Sequence, residues 1–214
     1  MRMRKKKNGE ARLSACAELL LNHDGKIGED ALRSVFGNDH PVRLEIGCGK
    51  GNFILNTAMK HPDINFIAME RISDVMVICA EKIKASGISN VRLLVADARE
   101  IPERFDDGIF DVIYLNFSDP WPKSGHYKRR LTYRDFLSKY KNALKDDGAL
   151  FIKTDNRPFF DFSLEELAFS GFRLENITND LHNSPFAEDN VQTEYEANFA
   201  AQGVPINRVE AYKS

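Results

Sequence analysis

Residues 116–123 read Asn-Phe-Ser-Asp-Pro-Trp-Pro-Lys, and no other stretch gathers so much potential chemistry. Asp119 stands beside the chain's single tryptophan, in a segment stiffened by Pro120 and Pro122. A carboxylate accepts hydrogen bonds from N–H groups, and an indole offers a flat apolar face. Lys123 opens a basic run that continues through Lys128, Arg129 and Arg130, side chains suited to phosphates. The combination points to a nucleobase brought to a chemical step. Trp121 has two readings, a stacking surface for a base or a plug at the end of a sheet.

A second constellation lies upstream. Gly47-Cys48-Gly49-Lys50-Gly51 is a glycine-rich turn, with Asn52 where the dinucleotide fingerprint has its third glycine. Such a turn serves either a pyrophosphate or an S-adenosylmethionine. Glu45, Asp97 and Asp119 decide between them, because carboxylates repel a pyrophosphate. At an effective dielectric of about 20, two unit charges about 4 Å apart interact by about 4 kcal/mol. For a sulfonium and an α-ammonium the same acids are attractive, so the cofactor expected is S-adenosylmethionine. Glu70 is placed to take ribose hydroxyls, and Asp97 the adenine amino group. Plainer readings stand beside these: Glu45 as an ordinary acid near a helix N-terminus, Asp97 as a loop cap, Asp155 as a helix cap.

These residues must be held by regular elements. Strands are predicted over 42–46, 64–69, 91–96, 110–115 and 149–153, alternating with helices. One helix runs from the glycine loop to about Lys60, one from an N-capping Ser73 to Ser86, one over 133–144 and one over 158–169. Phe172 to Ile177 and Tyr195 to Ala200 read as two closing strands, antiparallel at one edge. The expected fold is α/β, a doubly wound, mainly parallel seven-stranded sheet of Rossmann-like kind with an antiparallel edge pair. Glu45, Glu70, Asp97, Asp119 and Asp155 then all end strands on one rim, where such sheets bind ligands. Before this, Leu13, Cys16, Ala17 and Leu20 recur at helical spacing, predicting a helix over 10–22, and a short one covers 28–36. The division expected is a basic arm with short helices over 1–40 and a catalytic domain over 41–214.

Totals exclude several classes. The 214 residues carry a net charge of −2, but five basic side chains lie within 2–7 and eight within 121–145, against Asp135 alone. Two basic islands on an acidic body fit a localised phosphate footprint. No apolar run is long enough for a membrane span, and no apolar core follows the basic start as in a secretory leader. Cys16, Cys48 and Cys79 show neither disulfide-framework nor zinc spacing, which suits a reducing cytoplasm and no metal. His23, His40, His61 and His182 receive no role.

Taken together, Leu44 to Gly51, Asn116 to Lys123, His126 with Lys128 to Thr132, Lys153 to Asn156 and Thr193 to Glu196 closely resemble the bacterial tRNA (guanine-N7)-methyltransferases. The likeness covers roughly residues 42–201, and Asp-Pro-Trp-Pro-Lys with Thr-Glu-Tyr-Glu is its specific part. It implies methyl transfer from S-adenosylmethionine to a guanine of the tRNA variable loop. By the resemblance Glu45, Gly47, Glu70, Asp97 and Asp119 contact the cofactor, and Asp119 is catalytic. Lys123, Asp155, Thr193, Glu194, Tyr195 and Glu196 contact substrate, with RNA contacts along Gly125, His126, Tyr127, Lys128, Arg129 and Arg130. Ser124-Gly125 stands where family members commonly carry basic residues. tRNA is the expected partner, with no membrane and no required protein partner, the enzyme being a monomer or homodimer. Guanine N7 has a lone pair and no proton to lose, so a missing histidine dyad is no objection. A small-molecule methyltransferase and a non-catalytic RNA-binding protein on the same fold are the competing readings.

Overall fold

The computed structural model describes residues 8–22 and 24–214; the basic side chains of 2–7 and His23 lie outside the described residues. The chain divides into two compact units, the first ending at Asp106 and the second beginning at Asp107.

In the first unit a short helix α1 (Gly9–Ser14) precedes α2 (Glu29–Phe36). Two acids in the first turn of α2 favour its dipole, and Gly37 ends it in the left-handed region at φ 73°. Strand β1 (Val42–Ile46), helix α3 (Asn52–Lys60), strand β2 (Asn65–Met69), helix α4 (Ser73–Ser86) and strand β3 (Val91–Leu94) then alternate, followed by the single turn α5 (Ile101–Arg104). The three strands are parallel, and the apolar runs that predicted them are buried. Ile46 is level with Met69, and Met69 with Leu94, so the following loops leave at one end of the unit.

Two expectations need correction here. The helix over 10–22 is broken: α1 stops at Ser14, a 3-10 turn covers Ala17–Leu19, and Leu20 bridges Leu93. Ala17 is exposed, while Cys16, Leu19 and Leu21 are buried, a spacing that the helical period does not describe. Arg12 instead ties α1 to α4 through a two-pronged bond to Glu81, with 2.7 Å on each arm. The second correction concerns α4. Ser73 is its first residue rather than its cap, and Ile72 at the cap position donates its N–H to Glu70.

The second unit holds β4 (Phe110–Asn116), α6 (Arg134–Ala143), β5 (Leu144–Thr154), α7 (Arg157–Phe169), β6 (Phe172–Thr178), α8 (Glu194–Ala200) and β7 (Asn207–Lys213). β4 and β5 are parallel, with Asn116 opposite Lys153. β5 starts five residues before the strand expected over 149–153, and Asp147-Gly148 lie in a bulge within it: pairing jumps from Phe110↔Leu144 to Val112↔Ala149.

Residues 195–200, expected as a strand, lie in the helix α8. Thr193 caps it and Glu196 reaches back, a reciprocal capping box. The last strand is β7, antiparallel to both β5 and β6. The antiparallel pair was thus expected correctly, but its second member lies further along the chain. All seven strands form one sheet in the order β3-β2-β1-β4-β5-β7-β6. No helix among the described residues is long and apolar enough to cross a membrane.

Candidate active site

In the first unit the glycine loop is folded back by two bonds to one acceptor. The N–H groups of Gly47 and Cys48 both donate to Met69 O, at 2.8 and 3.1 Å. Glu70 joins this loop to the start of α4: Oε2 accepts from Gly49 N–H at 3.3 Å and Oε1 from Ile72 N–H at 2.9 Å. The three glycines have positive φ, 77°, 56° and 79°, so an L-side chain would be strained at each. They differ in surroundings. A Cβ on Gly51 would stand 2.4 Å from the Cys79 sulfur, so this glycine permits close helix packing. A Cβ on Gly47 or Gly49 would meet nothing within 4 Å, which leaves an open shelf above the loop.

Around that shelf are the acids read from the sequence. Glu45, next to the end of β1, is 2% exposed. Asp97 follows β3 and caps the 3-10 turn Ala98–Glu100 in a capping box. Its carboxylate accepts from Arg99 Nε and Nη2, both at 2.9 Å, and from Arg99 N–H at 3.0 Å. The hydrogen bonds from Arg99, with the nearby Arg71, hold its pKa below the usual value. The plainer reading of Asp97 as a loop cap therefore describes its geometry, with about a quarter of the side chain left to solvent. An open glycine shelf bonded to Glu70 and preceded by Glu45, with Asp97 after β3 in the same unit, suits a nucleoside ligand with positive charge, and the residues fit S-adenosylmethionine on that ground.

The second unit carries the other constellation. β4 ends at Asn116, and the chain turns sharply at Phe117, φ 53°, and again at Trp121, φ 41°. Between them Asp119 is exposed. Phe117 N–H donates to Lys153 O at 2.8 Å, and its ring lies 5.2 Å from that of Tyr195. Trp121 is half-buried, meets His126 edge-on at 5.7 Å, and lies under the Arg129 guanidinium at 5.0 Å. It is neither a core plug nor a bare stacking face.

Asp155 directly follows β5, but the cap of α7 is Asn156, which accepts from Phe159 N–H at 2.9 Å. Asp155 is therefore not spent on capping. Tyr195 is half-exposed. Its partial burial, with the charges of Asp155 and Asp119, raises its pKa, so its hydroxyl stays a protonated donor.

Beneath Tyr195 is a buried polar network that sequence reasoning did not find. Glu196 is fully buried, and both oxygens are engaged. Oε2 accepts from Lys153 Nζ at 2.7 Å and Thr193 N–H at 3.4 Å, while Oε1 meets His182 Nε2 at 2.8 Å and Asn190 Nδ2 at 2.6 Å. Burial alone would raise this carboxyl's pKa; the charge and hydrogen bond of Lys153, with His182 and Asn190, carry it below the usual value. Lys153 also donates to Asn190 Oδ1 and Val191 O, both at 2.9 Å. Thr193 Oγ1 accepts from Glu196 N–H at 2.8 Å, whereas Glu194 and Tyr195 are exposed. His182 and Asn190 precede Glu196 by 14 and 6 residues, a spacing with no helical or strand signal to mark it.

The basic run divides likewise. Lys123, Gly125, Tyr127, Lys128 and Arg129 are exposed on or beside the 3-10 segment Ser124–Arg129, and His126 is half-buried there. Arg130 turns back onto the Asp119 loop, donating to Pro120 O at 2.9 Å and Trp121 O at 3.3 Å. Arg134, four residues further on, is bound at both prongs to Glu166, at 2.6 and 3.0 Å. That pairing holds the Glu166 pKa down.

The sheet order and the loops at its strand ends define a doubly wound α/β fold with its candidate site at the strand ends. Two solved structures share the fold. One, described as an antibiotic-related methyltransferase, aligns with a TM-score of 0.62 at 22% identity, over 89% of this chain and 95% of that one. The 16S rRNA methyltransferase KamB gives 0.65 at 13% identity, over 92% and 98%. A family model described as a putative methyltransferase matches residues 39–209. The tRNA (guanine-N(7)-)-methyltransferase of Geobacillus kaustophilus is 46% identical over 213 residues, all of this chain and 97% of the relative. Those of Brevibacillus brevis and Streptococcus pyogenes are 50% and 46% identical, covering 82% and 99% of this chain and the same shares of theirs. The chain belongs to the tRNA (guanine-N(7)-)-methyltransferase family.

Proposed function

We propose that this chain transfers a methyl group from S-adenosylmethionine to N7 of a guanine in the tRNA variable loop. The observation that carries the reading is the seating of the Asp119 loop on β5 and α8, with the Phe117 N–H on Lys153 O and its ring against the half-exposed Tyr195, followed in the chain by the exposed cations Lys123, Lys128 and Arg129.

Glu45, Gly47, Glu70 and Asp97 would hold the cofactor, with Asp119 contributing to it as well. When bound, that group supplies an electrophilic methyl on a positively charged sulfur. The chain's own part is placement and electrostatics. N7 attacks through its lone pair, so no side chain has to remove a proton. The purine becomes cationic as the bond forms, and a fixed carboxylate beside it stabilises that charge more in the transition state than before. Asp119 takes this role, and Asp155 can accept from the ring N1–H and exocyclic amine. Tyr195 supplies a donor and a ring face. Glu194 and Thr193 border that surface. Glu196, its oxygens engaged, serves by holding α8 in place. Lys123, Gly125, His126, Tyr127, Lys128 and Arg129 follow the RNA backbone. The enzyme works in the cytoplasm as a monomer or homodimer, with no protein partner required.

The test is to incubate bulk tRNA with the protein and methyl-labelled cofactor, then digest to nucleosides. Label in 7-methylguanosine is expected. Label in another nucleoside, or transfer only to small molecules, would sink the reading.

A further inference from the structure

We infer that Arg130 is a positioning residue for the reaction, a brace behind the Asp119 loop, and not one of the phosphate contacts of its basic run. The inference rests on the proposed function for its catalytic readout, and on the loop's geometry for the rest.

The loop is held in a conformation its own residues resist. Phe117 at φ 53° and Trp121 at φ 41° are bulky L-residues in the left-handed region, four positions apart. Such residues cost about 1–3 kcal/mol each and persist only where the surroundings over-determine them. At Phe117 the surroundings are visible: its N–H is bonded to Lys153 O on the neighbouring strand, and its ring packs on Tyr195.

At the other end the chain has few means of its own. Pro120 and Pro122 lack N–H groups, so neither can donate a bond to fix the turn. What holds it is Arg130. Nε donates to Pro120 O and Nη2 to Trp121 O, two carbonyls in succession. A guanidinium is planar and rigid, so bonding consecutive carbonyls sets the orientation of the peptide between them, one residue from Asp119. The guanidinium is itself backed by the Phe162 ring of α7, 4.3 Å from the centroid. Carbonyls on one side and an aromatic face on the other occupy the group that would otherwise meet a phosphate. Its neighbour Arg129 differs, lying over the Trp121 ring on the exposed side of the run.

Lysine separates the two roles. It keeps the charge but replaces the planar fork by a single ammonium on a flexible stem. The full-length protein would be compared with Arg130→Lys, Arg130→Ala and Phe162→Leu by three measurements: kcat and KM with tRNA, tRNA affinity against salt, and acrylamide quenching of the single tryptophan, Trp121, without substrate. A misplacement of about 1 Å can cost about 10²-fold. Arg130→Lys is therefore expected to lower kcat about 10- to 100-fold with KM within about threefold, and to raise the quenching constant of Trp121. The salt slope of Arg130→Ala should stay at the parental value, and Phe162→Leu should shift kcat and quenching in the same direction by less. Parental kcat and quenching in Arg130→Lys would overturn the inference, as would a salt slope lower by about 0.7–0.9 in Arg130→Ala, the mark of a lost phosphate contact. If Arg130→Ala does not fold, the lysine and Phe162→Leu variants still decide. If the parental protein makes no 7-methylguanosine, the functional reading fails while tryptophan quenching still tests the brace.

Discussion

The glycine loop after β1 and the Asp119 loop after β4 both leave parallel strands through positive-φ turns, and they obtain those turns differently. Residues 47–51 use glycine at every positive φ, where the left-handed region carries no steric penalty. Residues 117–121 use phenylalanine and tryptophan, where it does. The first loop is shaped by residue choice and two short backbone bonds. The second is shaped from outside, by a strand carbonyl, the Tyr195 ring and the Arg130 fork. A glycine shelf leaves room for a ligand to approach the backbone, whereas a loop of large side chains presents functional groups. The cost is dependence on everything that braces it.

The most severe break in that dependence is expected at Glu196. Glu196→Ala leaves the Lys153 ammonium buried without its carboxylate, and losing one partner of such a pair destabilises by about 3–5 kcal/mol. Urea unfolding at pH 7 measures this, and a loss below about 1 kcal/mol would mean that the network is not what holds α8. The same group sets an acid limit. Its pKa is lowered in the fold, so its contribution is fully present above the unfolded carboxylate value and is lost as pH falls through the folded one. The urea midpoint should therefore fall on acidification of the parent, with a shallower fall in Glu196→Ala.

Next in size is Asp119→Ala. Removing a preorganised electrostatic partner costs about 10²–10³ in kcat. Turnover should be abolished in a routine assay while the far-UV spectrum is unchanged; unimpaired turnover would refute the assigned role. The glycine loop tests the other half of the comparison. Gly51→Ala adds a Cβ against Cys79 at positive φ, and overpacking of this kind costs about 1–3 kcal/mol in thermal or urea unfolding. Gly49→Ala carries only the left-handed penalty of about 1–2 kcal/mol, but it fills the shelf, so cofactor affinity by calorimetry should drop more than stability does. Equal binding by parent and Gly49→Ala would show that the shelf is not the ligand's. The smallest effect belongs to the exposed run: Lys128→Ala should reduce the salt slope of tRNA binding by about 0.7–0.9 with kcat retained.

This contrast also sorts what the sequence reveals. Strand β1, the glycine turn, β2 and α4 follow from apolar runs and glycine positions, because local chemistry suffices to form them. The Asp119 loop announces its residues but not its shape, since Lys153, Tyr195 and Arg130 act across 9 to 78 positions of chain. The segment after Thr193 was legible and misread. Tyr195, Phe199 and their neighbours suggest a strand, yet Thr193 and Glu196 stand at capping-box spacing, and that local signal prevails. Strand β7 carried only a short signal: Val209 and Ala211 are apolar at alternate positions, and Glu210 between them is buried as well. The fate of Glu196 carried none, because its partners come from β5 and from the loops before α8.

The order of strands has a consequence for how this protein is made. β7 lies between β5 and β6, so β6, although earlier in the chain, has its neighbour only after β7 emerges. At about 5–20 residues per second, the stretch separating them takes a few seconds to synthesise. During that interval β6 and the growing edge of β5 are unpaired strands on a nascent chain, each able to take up a foreign strand. Their protection is a matter of timing on the ribosome, and slow synthesis through 179–206 would lengthen the exposure.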